Sequence, residues 1–567
     1  MLRLGLKITH DGGLALLDGT RLVCSHEAEK SHNLQRHAPL EAIDVVETLA
    51  QYGASLSDVD RVVVDGWMQA SASLSLDAPE LGPPVADYHE KPEHPDGLVG
   101  LEFDGLRLGD RTFPYASYLH STGHILGSYA TSPWAARGEP ALVLAWDGGM
   151  LPRLYELRPA PRSLRLVRRL VGFVGHVYPV FGSYYGPFVP PGSKPDHTSL
   201  PDEALLDLSG KVMAWVGLGT VDQGLFALFD RVYAETFSLS WSFMFDFARA
   251  VHARLESGVR EADVVASFQA WLGGRLVEGL TRAFDREPSL PHRLVFTGGC
   301  ALNIAWNARL RACGLFEDVW VPPFPNDAGS ALGAAAADLL CSGEATGIEW
   351  DVYRGPALAP SDAAPGWGAR PCDLPELARF LHESGQPVVF LQGRAELGPR
   401  ALGNRSILCS AERPETKALL NEIKQREWYR PVAPICLESA APEVFEPGTE
   451  DPYMLFTHRV RPAWRDRVPA IVHVDGSARL QTVRAEQNPV VTRLLEEYRR
   501  LSGIPLLCNT SANLKGRGFF PDLRSATGWE PAQHVWCDGR LFSREAAPVP
   551  VTATEPAGRA VAAGGGS

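Results

Sequence analysis

No window of this chain approaches the ~18 uninterrupted apolar residues that a membrane span needs. The opening stretch "MLRLGLKITHDGG" lacks the apolar core of a secretory signal. There is no C-x-x-C pair. The nine cysteines are scattered and odd in number, which excludes a disulfide frame or zinc knuckle and reads as reduced thiols in a cytoplasmic protein. Repeats of solenoid period are missing. So is any excess of basic charge: the formal net charge is −13. That argues against a general nucleic-acid or anionic-membrane partner and leaves room only for a local basic pocket. What is present is an ordinary globular composition, 45% hydrophobic and 21% charged over 567 residues, enough for two or more cores.

The pattern along the chain is α/β. Leu2, Leu4, Leu6 and Ile8 alternate, which predicts a half-buried strand. Two apolar runs around Asp18-Gly19 predict a hairpin. A helix is expected over residues 38–51 and a strand over 61–67. "ALVLAWDGG" (141–149) restarts the pattern with a buried strand, and "RLVFTGGCALN" (293–303) gives strand, glycine turn and helix start. These features predict a first domain over residues 1–345 in two lobes, the second from about residue 140. A Gly/Pro/Ala-rich linker is expected at 346–372, a second α/β domain at 373–545 and a disordered tail at 546–567. "GPFVPPGSKPDHTSLPDE" (186–203) is a Pro-rich loop.

"YLHSTGHILGSY" places His120 and His124 one helical turn apart on one face. A helix offers two nitrogens to one metal in this way; two ordinary backbone-bonded histidines would look the same. Asp147 ends an apolar strand before Gly148-Gly149. Asp327 sits in "PPFPNDAGSALGAA". Each is placed to face a cleft, or else to serve as a turn residue or N-cap. The glycine turns at residues 10–13, 146–149 and 297–303 can cradle phosphates through backbone N–H groups. Gly148, Gly149, Gly298, Gly299 and Asn303 are thus candidate nucleotide contacts, with Lys211 as an added cation or a solvated lysine.

The second region concentrates cations beside Gly and Pro: Arg394, Arg400 and Arg405, then Lys424, Arg426 and Arg430, then Arg479. "NTSAN" adds Asn509, Thr510 and Ser511. A solvated face would mix both signs more evenly, so an anion pocket is the expected reading.

The motifs "HSTGH", "AWDGG", "FTGGCALN", "PNDAGSALG", "GRAELGPRALGNRSIL", "IKQREWYRPVAP", "HVDGSARLQTV" and "NTSAN" occur in one order. Together they resemble the O-carbamoyltransferase family of NodU, cephem carbamoyltransferase and tobramycin carbamoyltransferase, over roughly residues 1–525. The resemblance implies an actin-like, Hsp70-like (ASKHA) two-lobed domain followed by a YrdC-like domain that forms carbamoyl adenylate. It implies that His120, His124, Asp147 and Asp327 hold a divalent metal, Fe(II) in the relatives. It sets His10 beside the transfer centre, with Asp11 as the second catalytic residue. Arg400, Arg405, Lys424, Arg430, Arg479, Asn509, Thr510 and Ser511 are the implied grip on carbamoyl phosphate and on ATP with its Mg2+.

The expected activity is carbamoyl transfer to a hydroxyl of a small-molecule natural product, an antibiotic or sugar moiety. A nodulation-factor-like oligosaccharide is the alternative acceptor. An actin-like nucleotide-binding scaffold or chaperone is the alternative class, against which the arginine-rich second domain argues. Threonylcarbamoyl transfer to tRNA is a third reading, disfavoured by the net charge of −13. The chain departs from the relatives in the less basic "EAEKSHNLQRHAP", in Ala512 where they tend to have a bulkier residue, and in the loosely matching segment 172–203; these departures bear on the acceptor. A homodimer is among the expected oligomeric states.

Overall fold

The computed structural model describes the chain except residues 32, 69–82, 93–95, 193–195 and 546–567. The expected tail therefore lies outside the described residues. The chain is α/β, and its first half holds two sheets of one topology. The first runs Arg21–Glu27, Gly13–Asp18, Leu2–Lys7, Arg61–Asp65, Arg111–Tyr118, Leu101–Leu108. The second runs Ser163–Arg169, Arg153–Arg158, Ala141–Ala145, Arg293–Thr297, Asp318–Trp320. In each, an antiparallel three-strand meander is followed by two parallel neighbours reached through crossovers.

The strand at Leu2–Lys7 departs from the half-buried expectation. It lies inside its sheet and is buried on both faces. The face carrying Arg3, Gly5 and Lys7 is covered by the helix Ser330–Ser342 and the turn before it. Arg3 Nε donates to Asp338 at 2.9 Å, and Lys7 Nζ lies 3.1 Å from Asp327. Between them, a Cβ on Gly5 would fall 2.1 Å from the Ala331 carbonyl oxygen. The alternating cations thus meet carboxylates, not water. The Asp18 hairpin forms, with Asp18 opposite Arg21.

The helix His120–Ala130 crosses Ser330–Ser342 at glycines. A Cβ on Gly127 would sit 2.7 Å from Gly333 Cα, and one on Gly333 would sit 2.4 Å from the Gly123 carbonyl oxygen. No side chain fits between the two backbones. This close crossing carries the first turn of one helix, with both histidines, to Asp327 at the start of the other.

The second region is an eight-stranded mixed sheet in the order Trp367–Pro371, Arg540–Arg544, His534–Cys537, Val388–Leu391, Arg405–Cys409, Leu506–Ser511, Ala433–Leu437, Gln481–Val483. A three-stranded ribbon, Phe445–Glu446, His458–Val460 and Ser477–Ala478, lies beside it. The segment expected as a linker lies along the first sheet. Leu22 N donates to Glu349 O and Ser25 N to Arg354 O, both at 2.9 Å. Its end forms the strand Trp367–Pro371. No helix among the described residues is long and apolar enough to cross a membrane.

Arg405 is buried in this region and donates to the carbonyls of Gln392, Asn404, Pro356 and Gly393 at 2.6–3.4 Å. Arg405→Ala takes the donor from the Gln392 oxygen, while the Asn404, Pro356 and Gly393 oxygens keep the backbone N–H groups of Gln392, Ala395 and Leu358; a buried orphan costs about 1–3 kcal/mol. We expect a loss of about 1–3 kcal/mol, read as a lowered denaturant midpoint; an unchanged midpoint would exclude this structural role.

Candidate functional site

Four buried side chains converge where the two lobes meet. His120 and His124 come from the first turns of one helix. Asp147 ends the strand Ala141–Ala145, and Asp327 opens the turn before Ser330–Ser342. Their ligand atoms all lie within 4.8 Å of one another. The two imidazole Nε2 atoms are 3.1 Å apart, and Asp327 Oδ1 lies 3.4 Å from one and 3.3 Å from the other. Asp147 Oδ1 accepts from Gly299 N at 2.7 Å, and its other oxygen accepts from Tyr88 OH.

The surroundings orient this set. Asp65 takes His120 Nδ1 at 2.7 Å, which turns Nε2 inward. Tyr88 stacks on His120 with ring centroids 4.7 Å apart, and Trp67 meets both rings edge-on. Lys7 Nζ lies 3.0 Å from Asp65 and 3.8 Å from the Trp67 ring centre. Asp327 Oδ2 lies 3.1 Å from Lys7 Nζ and accepts no well-aligned hydrogen bond. Two imidazoles and two carboxylates, buried and held from behind, fit a divalent transition metal.

The charges are strongly coupled. Burial disfavours the Asp327 carboxylate, but Lys7 and His120 outweigh that and hold it well below the carboxylate range. Burial pulls His120 down, Asp65 pulls it up, and the net value is raised to about 9. In the metal-free protein a proton on His120 therefore occupies the place of a metal at neutral pH. Metal must displace that proton, so apparent affinity should rise about tenfold per pH unit up to about 9. The stability linkage has the opposite slope. The folded value lies above the usual ~6.5, so this contribution is complete below ~6.5 and lost as pH rises through about 9. Calorimetric titration of metal in buffers of differing protonation enthalpy checks this; affinity independent of pH would overturn it.

His10 and Asp11 stand at the rim. His10 Nδ1 contacts Asp11 Oδ2 at 3.1 Å, and His10 Nε2 lies 3.6 Å from Asp327. Asp11 Oδ1 also takes His37 Nδ1 at 2.8 Å. The two imidazoles outweigh burial and hold Asp11 at about 2.

Of the glycine-turn residues, Gly299 contacts Asp147 as above, and Gly298 lies against the Trp146 carbonyl. Gly148 lies against the His176 ring and Gly149 near Tyr88. Asn303 is an N-cap, accepting from Ala305 N and Trp306 N. Lys211 lies on the helix Asp202–Trp215. The Ala214 carbonyl of that helix meets His473 of the second region at 3.1 Å.

A second cluster gathers Arg400, Arg426, Arg430 and Arg479. Burial lowers each; neighbouring arginines lower Arg400, Arg426 and Arg479 further, Arg400 to about 10 and Arg426 to about 9, while Glu427 partly offsets burial at Arg430. The Nε atoms of Arg400 and Arg479 are buried without a hydrogen-bond partner. Arg426 donates to Thr510 Oγ1 at 3.1 Å and Ser511 Oγ at 3.4 Å. Lys424 Nζ is held by the Ser511 carbonyl at 2.8 Å and Asn513 Oδ1 at 2.7 Å. Asn509 is tied to Ala401 O and Gln481. Arg405 and Arg394 stand apart, bonded to main-chain carbonyls. Converging cations this poorly compensated call for a polyanionic ligand.

Lys7, Asp65, Trp67, Tyr88 and His37 also belong to this site, and sequence patterns did not single them out. Asp65-Gly66 ends an apolar strand as Asp147-Gly148 does, a repeated signal that could have found it. Nothing local marks Tyr88 or His37.

A family model described as Carbamoyltransferase N-terminus matches residues 2–336, and one described as Carbamoyltransferase C-terminus matches residues 378–531. Nodulation protein U of Rhizobium tropici is 46% identical, covering 95% of this chain and 96% of its own length. The 3'-hydroxymethylcephem-O-carbamoyltransferase of Amycolatopsis lactamdurans is 33% identical, covering 92% of this chain and 94% of its own. Among solved structures, the activator of the 2-hydroxyisocaproyl-CoA dehydratase from Clostridium difficile, with bound ADPNP, superposes with a TM-score of 0.32 at 14% identity, over 60% of this chain and 96% of its own.

Proposed function

Since the chain belongs to the carbamoyltransferase family, we propose that it builds carbamoyl adenylate from carbamoyl phosphate and ATP and transfers the carbamoyl group to a small-molecule hydroxyl. The observation that carries the first half is the cluster of Arg400, Arg426, Arg430 and Arg479, two of them with buried unpaired Nε atoms. In the proposed sequence, water cleaves carbamoyl phosphate to carbamate and inorganic phosphate. A carbamate oxygen then attacks the α-phosphorus of ATP, and pyrophosphate leaves. The guanidinium groups neutralise charge that builds on the phosphates in that step. Thr510 and Ser511 orient Arg426.

The second half belongs to the buried histidine and aspartate site. We assign His120, His124, Asp147 and Asp327 as ligands of a divalent metal, Fe(II) by the family resemblance; bound there, it supplies Lewis-acid polarisation of an oxygen. Asp11 holds the Nδ1 proton of His10, which leaves Nε2 free to take the proton of the attacking hydroxyl. The hydroxyl oxygen bonds the carbamoyl carbon, the bond to the adenylate oxygen breaks, and AMP leaves. Trp67 and Tyr88 wall the site against water.

The duplicated meander-and-crossover sheets support an actin-like first domain, residues 1–345. The mixed sheet, whose edge strand Trp367–Pro371 falls in the expected linker, supports a YrdC-like second domain to residue 545. The acceptor is proposed as a natural product bearing a hydroxyl; the cephem relative's name specifies a hydroxymethyl group. The higher identity to the nodulation protein favours a second reading, a nodulation-factor-like oligosaccharide.

The test is pyrophosphate release from ATP with no acceptor present. We expect release that depends on carbamoyl phosphate. None from pure, metal-loaded protein would remove the adenylation step.

A further inference from the structure

Among the described residues, six that are not glycine hold a left-handed backbone: Asp11, Asn33, His37, Gln425, Met454 and Asp538, with φ between 43° and 63°. Such conformations cost on the order of 1–3 kcal/mol each and persist where the surroundings over-determine them. Four of the six belong to the two sites or to the chain between them. Asp11 adjoins His10, and Gln425 lies between Lys424 and Arg426. Asn33 and His37 bracket a short segment that touches both sites.

That segment, residues 33–38, leaves the first sheet after the short helix Ala28–Ser31. On one side it pairs with the stretch just beyond Asn513. Gly518 N donates to Leu34 O at 3.0 Å and Arg36 N to Gly516 O at 2.9 Å. Arg517 Nη1 reaches Asn33 O at 3.3 Å. A Cβ on Gly518 would fall 1.9 Å from the Glu29 carbonyl oxygen, so the two backbones touch. On the other side, Gly12 N donates to Ala38 O at 2.8 Å, and His37 Nδ1 meets Asp11 Oδ1 at 2.8 Å. The contacts then run from Asp11 to His10 and on to Asp327. A cavity of about 10 Å3 lined by Asp11, Gly12, Glu27, Glu29, Ala38 and Ala328 lies behind the segment, room for about one water.

Both imidazoles offer an Nδ1–H to one carboxylate. Asp11 therefore cannot swing without breaking a bond to His37 or His10, and the ring of His10 is fixed with Nε2 toward the metal ligands. The anchor at residues 516–518 joins the arginine pocket directly: Asn513 Nδ2 donates to the Arg517 carbonyl at 2.6 Å, and Asn513 Oδ1 takes Lys424 Nζ at 2.7 Å. The charge of Arg36, one residue before His37, lowers Arg400, Lys424, Arg426 and Arg430. Adjacent side chains of one tightly tethered segment thus address the two sites.

We propose that residues 33–38 form a strap that couples the arginine pocket to the transfer site, with His37 as a positioning residue that aims His10 through Asp11. An anion in the pocket attracts Arg36, the strap shifts against its anchors at residues 516–518, and His37 carries the change to Asp11. The inference rests on the reading of His10 as the proton acceptor.

The test uses full-length protein, labelled with 15N in its histidine rings and loaded with Zn(II), and carbamoyl phosphate as the probe. The His10 signals are assigned by His10→Gln. We expect carbamoyl phosphate to shift them in the parent. His37→Ala should lose that shift and the signature of a fixed Nδ1–H. His37→Asn, whose amide can still donate to Asp11, should restore the fixed signature. Arg517→Ala loosens an exposed anchor, and it should weaken the shift even if His37→Ala fails to fold. A His10 spectrum in His37→Ala identical to the parent overturns the positioning role. A parent that ignores carbamoyl phosphate overturns the coupling. Pyrophosphate release from the parent is read in parallel, so failure of the adenylation reading is seen separately from failure of the strap.

Discussion

Asp327→Asn will purify without the divalent metal we assign to this site. Asp327 touches more of the transfer site than any other ligand: its Oδ1 faces both histidine Nε2 atoms, and its Oδ2 faces Lys7 and His10. Disturbing only an outer partner of a ligand costs ~10–100-fold in metal affinity, and a neutral amide in place of the carboxylate removes a ligand charge outright. Metal content by mass spectrometry should fall from one equivalent per chain to below about a tenth after dialysis, on that scale. The same change takes one of two carboxylates from Lys7, whose ammonium is buried and held up by Asp327 and Asp65 against burial. Asp65 remains at 3.0 Å, so the loss is smaller than the ~3–5 kcal/mol for a buried charge left with no partner. The variant should therefore also unfold at lower denaturant. His124→Ala separates the two effects. It removes a ligand without touching the Lys7 pair, so it should lose metal with a smaller loss of stability. Parent-level metal in Asp327→Asn would show that the ion sits elsewhere.

The four converging residues were marked in the sequence for physical reasons, and the family resemblance alone joined them to one metal. His120 and His124 obey a helical period, and Asp147 and Asp327 sit where an apolar run stops beside glycine. A carboxylate at such a point has little else to bond. The outer partners were not legible. Tyr88 reaches Asp147 from a loop 59 residues away in sequence, and Lys7 looked like the solvent side of an amphipathic strand until a helix carrying Asp327 and Asp338 covered that side. Arg405 shows the converse limit. Within "GPRALGNRS" it is chemically indistinguishable from Arg400, and only the sheet decides which guanidinium turns to carbonyls and which to the pocket. The topology of two matching sheets was likewise hidden. Strands and glycine turns recur along the sequence, but their order across a sheet follows from crossovers.

Arg479→Ala will make the ligand-free protein more heat-resistant and remove its response to phosphate-type anions. Burial, then Arg400, Arg430 and Arg426, hold Arg479 well below the arginine range, and its Nε has no partner. Its charge is therefore worse accommodated in the folded chain than in the unfolded one. A gain of ~1 kcal/mol on truncation corresponds to about 2–4 °C in the melting midpoint for a domain of this size. In the parent, pyrophosphate should reverse that disadvantage. A ligand bound only by the folded state adds about 2.7 kcal/mol at a hundred times its Kd, and bidentate guanidinium contacts give that binding its strength. The variant should start higher and gain little. Arg405→Ala supplies the contrast, because its cation is already bonded to carbonyls and its loss lowers the midpoint with or without anion. Midpoints measured with and without pyrophosphate decide the case: a lower starting midpoint for Arg479→Ala, with the anion response intact, would mean that Arg479 holds the fold together instead of serving the pocket.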